Sequence, residues 1–236
     1  MLILAIDTTA VTASAAVAEY ENGAVKNYAL TSVNNGLTHS ETLFPIIDNT
    51  LKAFGKKIED VGLFAVSVGP GSFTGVRIGV AAIKGLAYTG KPVAAVSALE
   101  ALAENIGAHG LICPLMDARR GVFYTAFFER RGGLLKRLTP DRASDAEEII
   151  DFAKAYDKVY ICGDGTQAFR REAKENEISP SFIIPSLAEC QQNALSVALC
   201  GGRMYDEGKV CTAASVAPVY LRKPQAERER EAKGQK

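Results

Sequence analysis

The stretch LILAIDTTAVTASAAVAEYENGAVKNYAL, residues 2–30, predicts how the chain begins to fold. Its apolar residues 2–6 form a short run that is typical of a central strand. Residues 12–18 are small and mostly apolar, and they predict a second strand. The Asn22-Gly23 pair is a strong hairpin signal, so residues 25–30 are expected to return as a third strand. The opening of the chain therefore predicts a β-meander.

The hydrophobic period then changes to that of a helix. Apolar side chains recur at intervals of three and four residues on one helical face, at Leu43, Ile46, Ile47, Leu51 and Phe54. Gly55 follows them and predicts the end of this helix. Apolar strands at residues 63–68 and 93–96 then alternate with helices at 74–88 and 98–106. The first half of the chain thus predicts the order βββαβαβα.

The second half repeats this order. Three strands are predicted, at residues 111–116, 122–128 and 134–138. Ser144 is predicted to cap a helix that runs to about residue 156, because Glu147 completes a capping box. The remaining predicted elements are a strand at residues 159–162, a helix from Gln167, a strand at 182–184 and a helix at 187–207.

An element order that is repeated in two halves predicts two similar lobes facing each other across a cleft. The expected fold class is α/β, a duplicated ribonuclease-H-like, actin-like ATPase fold whose mixed sheets are flanked by helices. We predict an N-terminal lobe at residues 1–107, a smaller C-terminal lobe at 108–210 and a final segment at 211–236. From Arg222 onward the charges alternate in sign, which predicts a solvated tail.

Composition narrows the classes of function. The 236 residues include 47% hydrophobic side chains, enough to bury a core, and 27 basic residues balance 27 acidic ones. A net charge of zero argues against tight nucleic-acid binding by this chain alone. The five cysteines are widely spaced and odd in number, which predicts reduced thiols in a cytoplasmic protein. No apolar run has the length of a membrane span.

Polar residues at the turns of both halves are candidates for a nucleotide or phosphate site. Asp7-Thr8-Thr9 follows the first strand, and Asp117 occupies the equivalent place in the second half. The Gly163-Asp164-Gly165 turn could line the same cleft. The alternative for Asp7 is an Asx turn that closes a hairpin, and the residues alone leave both interpretations open.

The stretch GPGSFTG, residues 69–75, joins a buried strand to the start of a helix. Free N–H groups there favour an anion, although no Walker A lysine follows. Gly75 and Gly79 lie one helical turn apart, beside Arg77. Such a stripe allows another backbone to approach closely, either within the lobe or from a partner.

The sequence contains little that indicates a metal site or a catalytic nucleophile. His39 and His109 are the only histidines, and they lie far apart in the sequence. No His-Glu-x-x-His motif is present, so a zinc protease of that type is excluded, and no metal site is predicted. No Gly-x-Ser-x-Gly elbow is present either. His39 is expected at a helix start, beside Ser40 and Glu41.

Five motifs together resemble the bacterial TsaB (YeaZ) family. They occur in order at residues 4–8 (LAIDT), 39–41 (HSE), 69–79 (GPGSFTGVRIG), 117–121 (DARRG) and 218–222 (PVYLR). The resemblance implies an actin-like ATPase fold. It also implies a role in making threonylcarbamoyladenosine at adenosine 37 of tRNAs that read codons beginning with A. In that pathway a TsaD-type paralogue is the transferase, and TsaB-like chains support it together with a small ATPase, TsaE.

One departure from the catalytic paralogue implies that this chain is not an enzyme by itself. TsaD-like chains carry a metal-binding His-x-x-x-His motif where this sequence reads SALEAL, residues 97–102. The resemblance further implies a partner surface on the helices of the first lobe. Carried onto this chain, that surface comprises His39, Leu43, Ser72, Phe73, Thr74, Gly75, Arg77, Ile78 and Gly79.

The expected partners are the TsaD-type paralogue, the TsaE-type ATPase and, indirectly, tRNA. A homodimer of the isolated chain is a further expectation, and no cofactor of its own is expected. Two alternatives remain at this point. One is a kinase or ATPase of the same superfold that binds ATP or ADP in the cleft, and the other is the glycoprotease (M22-type peptidase) activity of older family labels.

Overall fold

The computed structural model describes residues 1–173 and 182–222, which form two mixed sheets. The strands of the first sheet are β1 (Leu2–Asp7), β2 (Ala13–Glu21), β3 (Ala24–Val33), β4 (Leu63–Gly69) and β5 (Val93–Ser97). Their order is β3-β2-β1-β4-β5. Because β1 is antiparallel to β2 and parallel to β4, a meander is continued by parallel strands. The predicted meander is confirmed.

Helices of the first half connect these strands. They are α1 (His39–Phe54), α2 (Phe73–Leu86) and α3 (Ala98–Glu104). The Thr38 N–H donates to the Glu41 carboxylate just before α1 begins, and Gly55 ends the helix with a φ of 70°. The apolar face predicted for α1 is confirmed, since Leu43, Ile46 and Ile47 are buried with α2 against one face of the sheet.

The second sheet repeats the strand order of the first. Its strands are β6 (Gly110–Asp117), β7 (Val122–Thr125), β8 (Phe128–Arg131), β9 (Leu134–Arg137), β10 (Arg142–Asp145), β11 (Val159–Cys162) and β12 (Phe182–Ile183). The order β10-β7-β6-β11-β12 is that of the first sheet, and β8 and β9 form an extra hairpin on β6. The predicted duplication is confirmed.

The third strand of this sheet was placed wrongly. Residues 134–138 were expected there, but β10 occupies that position and β9 belongs to the extra hairpin. The reason lies at Phe127, which splits the strand predicted at 122–128. Its N–H bonds the Thr139 hydroxyl at 2.9 Å and its carbonyl accepts from Leu138, so the backbone leaves the ladder there.

Four helices are described in the second half, and two predictions about them are corrected. They are α4 (Ala146–Ala153), α5 (Thr166–Glu172), α6 (Leu187–Cys190) and α7 (Ala194–Asp206). Ser144 lies in β10, and Asp145 caps α4 by accepting the Glu148 N–H at 2.9 Å. The helix predicted at 187–207 is interrupted because Asn193 caps a new start, with its side chain accepting the Leu195 N–H.

The last helix belongs to the first lobe, which corrects the predicted boundary at residue 210. Helix α7 packs on the face of the first sheet opposite α1 and α2, where Val197 and Ala198 meet Ile3 and Ala65. Gly202 permits this contact, because a Cβ there would lie 2.5 Å from the Tyr20 ring.

The chain after α7 also returns to the first lobe. The Cys211 carbonyl accepts the Val93 N–H, and the Val219 N–H donates to Val68. Arg222 Nη1 then donates to the Ala118 carbonyl at 2.9 Å, which ties this segment to the second lobe. Arg222 is therefore not part of a solvated tail, and residues 223–236 lie outside the described residues.

Candidate functional site

The turn after β1 is closed on itself. The Asp7 carboxylate accepts hydrogen bonds from the Thr9 N–H and hydroxyl and from the Ser67 hydroxyl, at 2.8, 2.7 and 2.6 Å. Asp7, Thr8 and Thr9 are each no more than 1% exposed, and burial raises the pKa of Asp7. The Asx-turn interpretation is thus the one that fits. The side chains of Asp7 and Thr8 bond within their own lobe, and Thr9 lines the cleft between the lobes. A nucleotide or phosphate at Asp7, Thr8 and Thr9 stays a prediction.

The glycine-rich loop and the start of α2 lie directly on this turn. The Ser72 N–H donates to the Thr9 carbonyl at 2.7 Å, and the Thr8 hydroxyl donates to the Gly75 carbonyl at 2.7 Å. A Cβ on Gly75 would overlap the Thr8 carbonyl oxygen, and one on Gly79 would lie 2.6 Å from the Thr8 hydroxyl. The glycine stripe therefore serves packing within the lobe.

Three residues of the predicted partner surface are consequently misplaced. Leu43 is 0% exposed in the core, and Gly75 and Gly79 are buried against the β1–β2 turn. All three therefore pack within their own lobe in this structure. The other members, His39, Ser72, Phe73, Thr74, Arg77 and Ile78, are exposed or half-buried.

The turn after β6 differs from the turn after β1. The Asp117 carboxylate accepts the Arg119 N–H at 2.7 Å, and the Asp117 N–H donates to the Asp164 carboxylate at 3.3 Å. Arg119 and Arg120 have left-handed φ values of 68° and 60°, an uncommon backbone for such side chains that is often found at functional sites. The structure thus brings Asp117 next to Asp164, whose turn was predicted from the sequence to line the same cleft.

The two glycines of the predicted cleft have a packing role. A Cβ on Gly163, whose φ is 104°, would overlap the Leu115 carbonyl oxygen. Gly165 donates its N–H to the same oxygen at 2.9 Å and is buried. Only a glycine leaves β6 and the start of α5 this close together.

A cleft of about 700 Å³ lies between the lobes. Its walls come from the β1–β2 turn, the start of α1, the start of α2, the β6–β7 turn and the C-terminal segment, and they include Thr9, His39, Ser72, Asp117, Asp164 and Arg222. His39 Nε2 donates to the Ala10 carbonyl at 2.6 Å. His39 is therefore engaged in fixing the turn, and it starts α1 as the sequence predicts.

An aromatic and cationic stack joins α2 to the C-terminal segment. The Arg77 guanidinium lies 3.7 Å from the centre of the Phe73 ring, and its Nε donates to the Tyr220 hydroxyl at 2.9 Å. The rings of Phe73 and Tyr220 are 4.7 Å apart. No role was predicted for Tyr220, and its place in the PVYLR motif is the signal that could have drawn attention to it.

Besides this stack, α1 and α2 each expose further side chains. Phe44 is 54% exposed, and it follows buried Leu43 on the outer side of α1. Arg77 and Ala81 are exposed on α2, with Ile78 half-buried between them. Phe44 was missed because it lies off the apolar face that the helical period identifies, so its position next to that face is the signal available in the sequence.

The titration of Asp164 offers a test of the geometry of the cleft. Desolvation raises the pKa of Asp164 from its ordinary 3.8 to about 6, and the nearby Asp117 charge adds to the rise. The folded chain therefore holds this proton to a higher pH than the unfolded chain. Stability should fall as the pH rises from about 4 to about 6, and Asp164→Asn should remove that part of the pH dependence.

Urea unfolding of both proteins between about pH 4 and pH 8 makes this measurement. Asp7 contributes a shift of the same sign in both proteins, so their difference isolates Asp164. The asparagine oxygen can still accept the Asp117 N–H, which keeps the turn intact. Asp164 is exposed as a whole residue, and parallel curves for the two proteins would show that its carboxyl group is hydrated and titrates as in the unfolded chain.

Comparison with known proteins shows the family. The family model described as TsaD, tRNA N6-adenosine threonylcarbamoyltransferase, matches residues 36–229. The tRNA threonylcarbamoyladenosine biosynthesis protein TsaB of Bacillus subtilis (strain 168) is 32% identical over 230 residues, 96% of this chain and 96% of that protein. The chain belongs to the TsaB family.

Further relatives agree with this assignment. The TsaB of Escherichia coli (strain K12) is 28% identical over 232 residues, 94% of this TsaB-family chain and 95% of that protein. The crystal structure of YeaZ from Pseudomonas aeruginosa has a TM-score of 0.75 and 23% identity, covering 93% of this chain and 100% of that one. At this identity the likeness shows a shared fold.

Two observations bear on how this TsaB-family chain works. Across residues 1–173 and 182–222, no three His, Cys, Asp or Glu side chains come close enough to hold a metal ion. Within the same residues, no helix has both the length and the apolar character to cross a membrane.

Proposed function

We propose that this chain is a non-catalytic subunit that binds and supports a TsaD-type transferase in the threonylcarbamoylation of adenosine 37 of tRNA. One observation carries the proposal: the glycine-rich loop and α2 close over the β1–β2 turn, and the Asp7 carboxylate accepts three hydrogen bonds within its lobe. The carboxylate and the two threonine hydroxyls of this turn are thus used in bonds within the lobe, which favours a structural role for the turn.

The helix that would carry the metal ligands of the transferase supports the same conclusion. In this chain the helix after β5 reads ALEALAE and has no histidine. Its side chains at Ala98, Leu99 and Leu102 are buried in a core shared with Phe128 and Cys162 of the second lobe. Helix α3 therefore contributes packing between the lobes where the paralogue carries its catalytic metal.

The surface of α1 and α2 is the proposed binding site for the transferase. It combines an exposed aromatic side chain at Phe44 of α1 with an arginine held by stacking at Arg77 of α2. Aromatic and arginine side chains contribute most to binding at protein interfaces. An arginine that is already held in place loses little conformational entropy when a partner docks.

The same proposal covers the remaining partners. The isolated chain would cover this surface by forming a homodimer, because the same exposed apolar patch on two copies can pack together about a two-fold axis. The TsaE-type ATPase acts in the assembled complex, and the balanced charge of this chain leaves most tRNA contact to the transferase. We propose a cytoplasmic protein that needs no cofactor of its own.

The geometry supports the two alternatives less well. A kinase of this fold needs its phosphate turn open, and here Ser72 and Gly75 bond to that turn. A protease would need His39 to act as a base, but its Nε2 is bonded to the Ala10 carbonyl. The pairing of Asp117 with Asp164 is the feature that most favours a nucleotide-dependent activity. The reconstitution assay described next therefore includes an Asp117→Asn variant.

Reconstitution with purified components tests the proposal. We expect the TsaD-type paralogue and the TsaE-type ATPase to modify tRNA at least tenfold more slowly when this chain is left out. We expect no product and no ATP hydrolysis from this chain alone. Turnover by the isolated chain that disappears in an Asp117→Asn variant would overturn the non-catalytic assignment and support the ATPase alternative.

A further inference from the structure

The second lobe carries an extra hairpin, β8–β9, at a place where the first lobe has a short turn. In the first lobe β2 turns directly into β3 at Asn22 and Gly23, whereas residues 126–141 separate β7 from β10, the strands at the corresponding positions of the second sheet. The hairpin pairs with β6 and packs against α3, the helix through which the chain passes from the first lobe to the second. It therefore lies where the two lobes meet.

The most buried part of this contact is an ion-pair cluster around Glu104, the last residue of α3. Glu104 Oε2 lies 3.4 Å from Arg130 Nη2 of β8, and the two side chains are only 6% and 7% exposed. Arg203 of α7 donates from Nη1 and Nη2 to the same carboxylate, at 3.1 and 3.3 Å. Because a buried charge that loses its partner is costly, these pairs favour one relative position of α3, β8 and α7.

A second cluster lies one helical turn earlier on the same face of α3, around Glu100. Arg137 of β9 donates to Glu100 Oε2 from Nη2 and Nε, at 2.7 and 3.2 Å, and from Nη1 to Asp141 at 2.5 Å. The Asp141 carboxylate also accepts the Ser97 hydroxyl at 2.7 Å, and Ser97 accepts the Glu100 N–H at the start of α3. These bonds form a closed ring that joins α3 to the second lobe at two points.

An apolar core adjoins the two clusters. Leu99 and Leu102 of α3 are 0% and 1% exposed, and they pack in one core with Phe128 of β8. The Arg137 guanidinium lies 4.6 Å from the centre of the Phe128 ring, which connects the charged ring to this core. A hinge motion at α3 would expose these apolar side chains to water, so their burial opposes the motion.

The C-terminal segment ties the lobes together a second time, beside the cleft. Val219 bonds to Val68 of the first lobe, and Arg222 bonds to Ala118 of the second. Arg222 lines the cleft, whereas no residue of the two charged clusters is among the described residues of the cleft wall. Many two-lobed proteins close around a ligand by a hinge motion, and two separate attachments between the lobes oppose such a motion.

We propose that the β8–β9 hairpin acts as a clamp on α3 and fixes the two lobes as one rigid body, so that the cleft keeps a single width. The clamp consists of the two charged clusters and the apolar core between the hairpin and α3. This inference goes beyond the proposed function and does not rest on it, because the proposed transferase surface lies on α1 and α2 of the first lobe alone.

Double electron–electron resonance between one spin label in each lobe tests the proposal. The labels replace Lys26 of β3 and Gln167 of α5, which are both exposed, and they enter as unnatural amino acids so that the five cysteines stay unchanged. Dilution with unlabelled chain restricts the signal to distances within one molecule. We expect one narrow distance for the full chain, and the same distance after Mg-ATP is added.

Arg137→Met and Glu104→Gln each remove one charge of the clamp and keep a side chain of similar length. Each should raise the population of molecules at other distances about tenfold, because hydrogen bonds to a charged group contribute enough free energy for such a factor. The Arg137 and Glu100 side chains are 30% and 42% exposed, so water can hydrate the carboxylate that Arg137→Met leaves behind. That variant keeps the test available if Glu104→Gln does not fold.

Arg131→Met is the matched control. Arg131 lies in the same hairpin, is 82% exposed and pairs at 2.7 Å with Glu129 of its own strand, so its loss should leave the distance unchanged. A broad distribution in the unsubstituted chain, a distance that Mg-ATP changes, a narrow distance kept by the clamp variants, or equal broadening in Arg131→Met would overturn the proposal. Binding of Arg137→Met to the TsaD-type paralogue, measured separately, should equal that of the unsubstituted chain, which distinguishes failure of the clamp from failure of the proposed function.

Discussion

Replacing Gly75 with alanine should lower the free energy of unfolding by about 3 kcal/mol, at the upper end of what overpacking usually costs. The added Cβ would overlap the Thr8 carbonyl oxygen, a backbone atom that cannot rotate away. Relief requires α2 to move off the β1–β2 turn, and the bond from the Thr8 hydroxyl to the Gly75 carbonyl would stretch with it. Thermal unfolding should show a melting temperature lower by roughly 6–12 °C.

Gly85→Ala is the control for this prediction. Gly85 lies in the same helix, and nothing lies within 4 Å of a Cβ built there. Alanine is the better helix former, so this variant should gain about 0.5–1 kcal/mol. Equal melting temperatures for Gly75→Ala and the wild-type chain would show that α2 does not lie against the turn, and the argument for a closed phosphate turn would lose its basis.

Arg77→Glu should weaken the complex with the TsaD-type paralogue roughly 30-fold or more. Arg77 is exposed, and its guanidinium is held over the Phe73 ring at the centre of the proposed interface. Glutamate reverses the charge and loses the stack. The fold should survive, because an exposed cation–π contact contributes only about 0.5–1 kcal/mol. Isothermal titration against the paralogue measures the loss.

Two further variants separate charge from position. Lys26→Glu makes the same change of charge at an exposed position of β3, beside Glu19 and Asp60 and outside the predicted partner surface, and should leave the affinity unchanged. Tyr220→Phe removes the hydroxyl that accepts from Arg77 but keeps the ring stack, so it should weaken binding only slightly. If Lys26→Glu weakens the complex as much as Arg77→Glu does, the interface lies elsewhere or is set by net charge.

Much of the fold could be predicted because its signals are local. The apolar spacing from Leu43 to Leu51 defines the buried face of α1, and Asn22-Gly23 defines the hairpin between β2 and β3. The hydrophobic periodicity of a helix identifies its apolar face, but it does not identify the element against which that face packs. Helix α7 follows the second sheet in the sequence and has a regular apolar face, yet that face packs on the first sheet. Its partners are more than a hundred residues away.

The candidate site shows the same limit. The sequence identified Asp7, Gly75 and Gly79 as unusual, but their shared reason is a contact between two loops about 65 residues apart. Ser67, which completes the bonding of Asp7, lies within an apolar strand and carries no motif of its own. These residues could serve a phosphate or partner site, or they could serve packing within the lobe. The contact between Thr8 and Gly75 in the structure is what favours packing.

Light scattering on a sizing column tests the central claim most directly. The samples are this chain alone, its TsaD-type paralogue alone, and mixtures of the paralogue with the wild-type, Arg77→Glu and Lys26→Glu chains. We predict a one-to-one complex that the Arg77→Glu substitution breaks and the Lys26→Glu substitution preserves. Separate elution of the wild-type chain and its paralogue would contradict the account, because a supporting subunit that does not bind the transferase has no role in the reaction.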